Sequence, residues 1–398
     1  MKIFDEKHIK NIVLVGAHNS GKTTLSETML FEAGLLNRRG TVEDRNTVSD
    51  YQSIEQEREA SIYATPMHTE WRNYKINIID TPGLDDFIGE IISSIRVGDT
   101  VVAVINGRQG VEVGTEIIWN YIDKYNRPTL FVINQIDHPD VKFDESFKSI
   151  KSLVGNNAVK MQYPLIVDGA QCIVDVLKMK MYKFGKDGGK PEKLEIPKDQ
   201  KALADALHNE LVEKAAENDE ELLELFFEKG TLNENEMRRG IKAGMLNHEL
   251  FPVFCVSSLN DMGTGRLMGF IDNVAPAASE LNEEQSVEGE TINREVGAPT
   301  SLFVFKTIQQ PNLGQITFFK VKSGEVNIND KLINSRNDET EIINQLFIMD
   351  GKERHPVTKL TVGDIGATLK LKYTDTNDTL RAAKSIITIK PIKFPEPR

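Results

Sequence analysis

Between Asn11 and Gly16 the chain runs Ile-Val-Leu-Val, apolar at every position and closed by a glycine. Such a run predicts a strand covered on both faces. Positions 24–33 then carry a helical pattern. Lys75-Ile76-Asn77-Ile78-Ile79-Asp80 alternates like a strand and ends on an acid. Two further apolar strands are predicted at 100–105 and 129–133, with helical stretches between them, as around 117–124. Strands alternating with helices predict a parallel sheet with helices on both faces.

The pattern breaks near residue 160. Positions 160–197 read as polar strands with a Gly185-Lys186-Asp187-Gly188-Gly189 turn, and Leu203, Leu207, Leu211 and Ala215 then recur at helical spacing before a 222–227 apolar cluster. This predicts an α+β insertion, because an apolar strand returns at 251–256. Glu280, Glu283, Glu284, Glu288 and Glu290, mixed with Ser and Asn, predict a solvated acidic linker. Beyond Ala298 short strands follow closely at 302–306, 315–322, 331–333 and 341–347. Gly and Asp turns such as Ser323-Gly324 and Gly363-Asp364 separate them, the signature of a small β-barrel.

Composition adjusts this picture little. A chain of 398 residues exceeds one ordinary core, so two or three domains are expected. Cys172 and Cys255 stand far apart without CxxC spacing, which argues against a disulfide framework and for a reducing cytoplasm. The first residues carry acids where a signal peptide needs an apolar run, and no stretch approaches a membrane span. Seven histidines without HxxxH or HExxH spacing argue against a protein-built zinc site. The net charge of −12 divides into −16 over 1–290 and +4 over 291–398. An acidic body argues against charge-driven binding to DNA or to nucleic acid in general, while leaving room for a large ribonucleoprotein met through local patches.

The chemistry concentrates at the strand ends. Gly16-Ala17-His18-Asn19-Ser20-Gly21-Lys22-Thr23 matches GxxxxGK[ST] in full, between a predicted strand and a predicted helix. Its backbone N–H groups and the helix N-terminus favour phosphate. Lys22 can neutralise the β- and γ-phosphates, and the Thr23 hydroxyl can ligate Mg²⁺. Gly16, His18, Asn19, Ser20, Gly21, Lys22, Thr23 and Thr24 are thus the candidate phosphate contacts. Asp80-Thr81-Pro82-Gly83 lies 58 residues after Lys22, where Asp80 can hold Mg²⁺ through a water and the Gly83 N–H can reach a γ-phosphate. Asn134-Gln135-Ile136-Asp137 is one residue away from NKxD. The Asp137 carboxylate can accept N1–H and N2–H of guanine, whereas adenine would leave buried groups unpaired at about 1–3 kcal/mol each. Asn134 would support that loop or reach the base edge, and Gln135 supplies a shorter, neutral cover where lysine is usual. Ser257-Ser258-Leu259 follows the last strand, its backbone N–H groups placed to contact guanine O6.

With these motifs in this order the chain resembles the translational GTPases, and most closely elongation factor G, over its entire length. Glu55-Gln56-Glu57-Arg58 is similar to the family's first switch, and Asp80 to Gly83 with Asp86-Phe87 to its second. Phe319 to Gly324, Val362 to Ile365 and Asp375 to Leu380 resemble its barrel domain; Phe394-Pro395-Glu396-Pro397 resembles the entry to its third domain. Gly40 to Asp44 with Ser49-Asp50-Tyr51 is more like the divergent second class of its paralogues. The resemblance implies an α/β P-loop GTPase domain over 1–279 with an inserted subdomain at about 160–250. A linker over 280–297, a β-barrel over 298–390 and a connection over 391–398 to an absent third domain complete it. It also implies GTP and GDP with Mg²⁺ as ligands, the ribosome (rRNA and ribosomal proteins) as partner, a monomer in the cytoplasm, and GTP hydrolysis as the activity.

Departures from the family pattern gather around the γ-phosphate. The switch-two histidine that positions the attacking water is Leu84 here, and the switch-one threonine that ligates Mg²⁺ corresponds to Ser61, behind Glu59 and Ala60. Thr23, Ser61 and Asp80 remain equipped for the metal, and Lys22 and Gly83 for the phosphoryl group. Leucine cannot orient a water, a loss of about 10²–10⁴ in rate. Binding is therefore expected and efficient turnover is not. A GTP-gated ribosome-binding factor without turnover, a ribosome-protection factor and an ATP-using P-loop enzyme stay open as alternatives, with His18 or Asp85 as substitutes for the missing histidine.

Overall fold

The computed structural model describes residues 2, 4–186, 188–311 and 313–395. Asp187 of the predicted glycine turn, and Glu396 and Pro397 of the expected exit segment, lie outside the described residues. The apolar runs form the centre of a seven-stranded sheet: β1 (Ile9–Val15), β2 (Thr65–Trp71), β3 (Tyr74–Asp80), β4 (Thr100–Asn106), β5 (Thr129–Asn134), β6 (Ala158–Lys160) and β11 (Phe251–Cys255). Their order is β2-β3-β1-β4-β5-β11-β6. β1, β4, β5 and β11 are buried at every residue, because helices cover both faces. These helices are α1 (Lys22–Glu32), α3 (Ile88–Val97), α4 (Val113–Lys124), α5 (Phe143–Val154) and α9 (Thr264–Asn273). The sheet departs from the expected all-parallel pattern at β2, which pairs antiparallel with β3.

This topology positions the site. β3 and β1 are neighbours on one side of β4, and β5 and β11 on the other, and the four motifs occupy the loops that leave their C-terminal ends, the usual ligand position in open α/β sheets. α2 (Ser53–Arg58) stands in the loop between α1 and β2. After β6 the insertion forms an antiparallel sheet of β7 (Gln162–Val167), β8 (Ala170–Asp175), β9 (Lys180–Gly185) and β10 (Gly188–Leu194). Helices α6 (Lys201–Ala216), α7 (Glu220–Lys229) and α8 (Glu234–Leu246) complete it, and α8 begins with a full capping box from Asn233 and Glu236. The chain is mixed α/β throughout this half, as expected.

The second half is β-rich. β12 (Ser301–Gln310), β13 (Gly314–Ser323), β15 (Lys331–Asn334), β16 (Thr340–Ile342), β17 (Leu346–Asp350), β18 (Glu353–Val357), β20 (Ile365–Leu369) and β21 (Thr379–Arg381) form one antiparallel sheet. β14 (Glu325–Asn327) pairs with β19 (Lys359–Thr361). The predicted strand at 341–347 is in fact two strands, interrupted at 343–345. Along β12, Leu302 and Val304 face the barrel interior, whereas Phe303 and Phe305 join the core of the first domain. Alternate residues of one strand thus serve two cores, and the barrel is packed hard against the nucleotide-type sheet. Buried ion pairs seal the contact: Lys75 Nζ to Asp364 at 2.7 Å, and Lys320 to Asp99.

In the acidic segment Glu280, Glu283, Glu288 and Glu290 are exposed as expected, but Glu284 is not solvated. It pairs with Arg96 at 2.5 Å and Lys322 at 2.6 Å, and Ser286 and Ile292 beside it are buried. Cations from two distant elements, α3 and β13, converge on it, which local composition could not reveal. Cys172 and Cys255 are both buried free thiols. Among the described residues no helix is long and apolar enough to cross a membrane.

Candidate nucleotide site

Gly21 caps α1 in the left-handed region at φ 87°, and a Cβ there would stand 2.3 Å from Asn134 Nδ2, so the phosphate loop and the Asn134 loop meet at a position only glycine fits. The loop curls around Lys22, whose Nζ donates to Gly16 O and Ala17 O at 2.9 Å each. Burial pushes this ammonium down to about 8, against the pull of Asp80, Asp50 and Glu112. Gly83 closes over the same group: a Cβ on it would lie 2.6 Å from Lys22 Nζ and 2.8 Å from His18 Cα. Ser20 is fully buried, His18 and Asn19 are exposed, and Thr24 is half-buried in the first turn of α1.

Thr23, Ser61 and Asp80 come together. Thr23 Oγ1 donates to Asp80 Oδ2 at 2.7 Å and stands 3.2 Å from Ser61 Oγ. Ser49 Oγ donates to the same Asp80 oxygen at 2.8 Å. Burial, reinforced by the charge of Asp50, pushes the Asp80 carboxyl up to about 7. Asp80 Oδ1 and Asp50 Oδ2 are buried with no hydrogen-bond partner, and so is Ser20 Oγ in the phosphate loop. Unpartnered buried carboxylate oxygens beside two hydroxyls are a hard-oxygen donor set, which fits Mg²⁺ with retained waters. No cluster of three His, Cys, Asp or Glu placed for a metal occurs among the described residues, so this set relies on hydroxyls.

Asn134 is a clamp. Its Nδ2 donates to Ser20 O at 2.9 Å, and its Oδ1 accepts from Gln135 N, Ser258 N and Ser258 Oγ at 2.8 to 3.0 Å. Of the two roles the sequence left open for it, the structure gives it the supporting one. Gln135 Nε2 ties back to Asn19 O at 3.0 Å. Asp137 Oδ2 accepts from Asn260 Nδ2 at 3.0 Å, while Asp137 Oδ1 is buried without a partner. The Ser257 N–H is spent on Met262 O and the Ser258 N–H on Asn134, so these two amides point inward where the sequence expectation had them at the base. Leu259, 65% exposed, carries the remaining N–H of the triplet.

Residues 7–277 match the model of the elongation factor Tu GTP binding domain, and residues 299–383 match that of elongation factor G domain 2. The chain belongs to the translational GTPases of the elongation factor G type. Its fold is similar to a crystal structure of a protein from Thermus thermophilus, with a TM-score of 0.87 and 22% sequence identity. The likeness covers 98% of this chain and 57% of that one, so the chain spans little more than half the length of that relative.

Leu84 of this elongation-factor-G-type chain is half-buried and precedes a short 3-10 turn over Asp85–Phe87. Its side chain offers no donor or acceptor beside Gly83. Partial burial and the Lys22 charge hold the His18 imidazole below its ordinary range. Sequence reasoning left several residues without a role. Asp50 was visible only as part of a family-like triplet, and Ser49 likewise. Glu55 accepts from Gln52 N, Ile62 N and Tyr63 N and so fixes the segment that carries Ser61. Glu27 accepts from Gly40 N and Val48 N and anchors the other half of that segment. Asn260 supports Asp137, and Arg39 Nη1 donates to Ser258 O and Leu259 O at 2.9 Å. No spacing rule marks these partners, because each acts across a loop.

Proposed function

We propose that this chain binds GTP and GDP with Mg²⁺ and acts on the ribosome as an elongation-factor-G-like factor whose hydrolytic step is slowed by Leu84. The observation that carries the reading is the unpartnered, buried Asp80 Oδ1 beside Thr23, Ser61 and Lys22. Lys22 and the loop amides hold phosphate, Thr23, Ser61 and Asp80 serve the metal, and Asp137 with its free Oδ1 selects guanine. Bound Mg²⁺ would supply charge neutralisation at the phosphates. The partner would be rRNA and ribosomal proteins, met by a monomer in the cytoplasm.

A second reading, a GTP-gated ribosome-binding factor without turnover, is favoured by the same Leu84. Binding of labelled GTP and GDP, run beside single-turnover hydrolysis with and without ribosomes, separates the two. Leu84→His is expected to raise ribosome-stimulated hydrolysis by about 10²-fold while leaving the Kd for GDP unchanged. Absence of labelled GDP binding sinks both readings; unchanged turnover in Leu84→His removes the account of Leu84 alone.

A further inference from the structure

On the far side of the first domain from the nucleotide motifs, four cations pair with two carboxylates and a fifth stands beside them. Arg96 comes from the last turn of α3, Arg127 from the loop before β5, Arg294 from the acidic segment, and Lys320 and Lys322 from β13. Asp99 is taken by Lys320, and Glu284 by Arg96, Lys322 and Arg294. Burial alone would raise the Glu284 carboxyl, yet the charges of Lys322, Arg96 and Arg127 hold it well below the ordinary range. Arg127 has no carboxylate among the described residues. It is 8% exposed, donates from Nη2 to Arg96 O at 2.7 Å, and its Nε is buried with no partner. Burial and the Arg96 charge push this guanidinium down to about 10, against the pull of Glu284 and Asp99. Arg127 brings the cluster to five cations beside two carboxylates, and a buried excess of this kind calls for an anion.

A cleft of about 540 Å³ opens onto the cluster. Six cations line it, Arg96, Arg127 and Arg294 with the exposed Lys124, Lys390 and Lys393, against two carboxylates, the ion-paired Glu284 and the exposed Glu283. The residues come from the first domain, the acidic segment and the chain leaving the barrel, so the cleft lies where three segments of the fold meet. Its volume exceeds that of a phosphate group and suits a small phosphorylated molecule.

We propose that this cleft binds a free phosphate-class oxyanion, with Arg127 as its buried donor and Lys124, Lys390 and Lys393 at its mouth. A guanidinium offers parallel N–H donors that match tetrahedral oxyanions, and the low dielectric around Arg127 strengthens each contact. The site is independent of the phosphate loop, with which it shares no residue.

The test is made in the Lys22→Ala chain, so that the phosphate loop does not contribute. Its Tm is followed while inorganic phosphate or pyrophosphate is added against sodium chloride at equal ionic strength. A saturable rise of about 3 °C is expected with phosphate and not with chloride. Adding Arg127→Met should weaken the apparent Kd at least about tenfold, and adding Lys124→Ala about threefold. Lys124 is exposed, so that variant keeps its fold and decides the matter if Arg127→Met does not fold. A rise that chloride reproduces, or one unaltered by the Lys124 substitution and by any folded Arg127 variant, overturns the proposal.

Discussion

Asp80 must be ionised to serve a cation, and Lys22 must be protonated to serve phosphate, yet both sit in one buried cluster. Burial and the Asp50 charge push Asp80 up to about 7, against Thr23, Lys22 and Ser49. Burial pushes Lys22 down to about 8. The signs follow directly. Below pH 7 Asp80 holds a proton that the metal has to displace, so Mg²⁺-dependent nucleotide affinity falls about tenfold per pH unit. Above pH 8 Lys22 loses its proton and the phosphate contact weakens with the same slope. The expected profile is a bell whose maximum lies between these two values. Asp50→Asn removes the neighbouring charge and moves the acid limb to lower pH, because less work is then needed to ionise Asp80. Fluorescence titration of a labelled GDP in excess Mg²⁺, from about pH 5.5 to about pH 8.5, measures this. The nucleotide's own phosphate titration is common to both proteins, so the displacement between their acid limbs isolates Asp80. Position is the readout, since Asp50 also offers an unpartnered oxygen and its loss can lower the plateau. Superimposable acid limbs, or a limb displaced to higher pH, would refute the reasoning.

Three further outcomes are expected. Asp137→Ala removes the buried acceptor of the guanine loop, and the preference for GDP over ADP in competition should fall between about tenfold and about a hundredfold. Glu55→Ala takes the acceptor from three backbone N–H groups, which should cost about 2 kcal/mol in urea unfolding and weaken Mg²⁺ binding through Ser61; unchanged stability would mean that those amides find other partners. Asp364→Ala strands Lys75 at the domain contact and should cost about 3–5 kcal/mol, most of it recovered in the Lys75→Met, Asp364→Leu double variant.

How much of this could be read from the sequence depended on how local the cause was. The phosphate loop was legible because eight consecutive residues carry its backbone geometry, with Gly21 at the one position where a side chain would strike Asn134. The buried strands were legible because a sheet covered on both faces needs unbroken apolar runs, and β1, β4, β5 and β11 lie within a residue or two of their predicted places. β2 was missed because Thr-Pro-Met-His-Thr-Glu-Trp mixes polar and apolar residues, and its pairing is decided by the tight turn to β3. One of its buried polar members has its partner far along the chain: His68 meets Asp350 of the barrel at 2.7 Å.

Within the acidic segment Glu284 alone of the five glutamates departed from expectation, for the same reason. A cluster of glutamates predicts solvation when nothing else is known, because the desolvation cost of a lone carboxylate is large. Glu284 escapes that cost through Arg96, 188 positions earlier, and Lys322, 38 positions later. The rule was sound and its premise was not, since the cations were invisible until the fold assembled them. The functional departures divide along the same line. Binding rests mainly on backbone cradles and on strand-end residues such as Asp80 and Asn134, which leave a local imprint. In the proposed reading turnover depends on position 84, where the leucine is visible in the sequence, and on loop contacts from Glu27, Ser49, Asp50 and Glu55, which leave almost no local imprint. On that proposal the marks of ligand and of chemistry are separable, because a leucine at position 84 can slow turnover without disturbing the backbone cradle from Gly16 to Thr23.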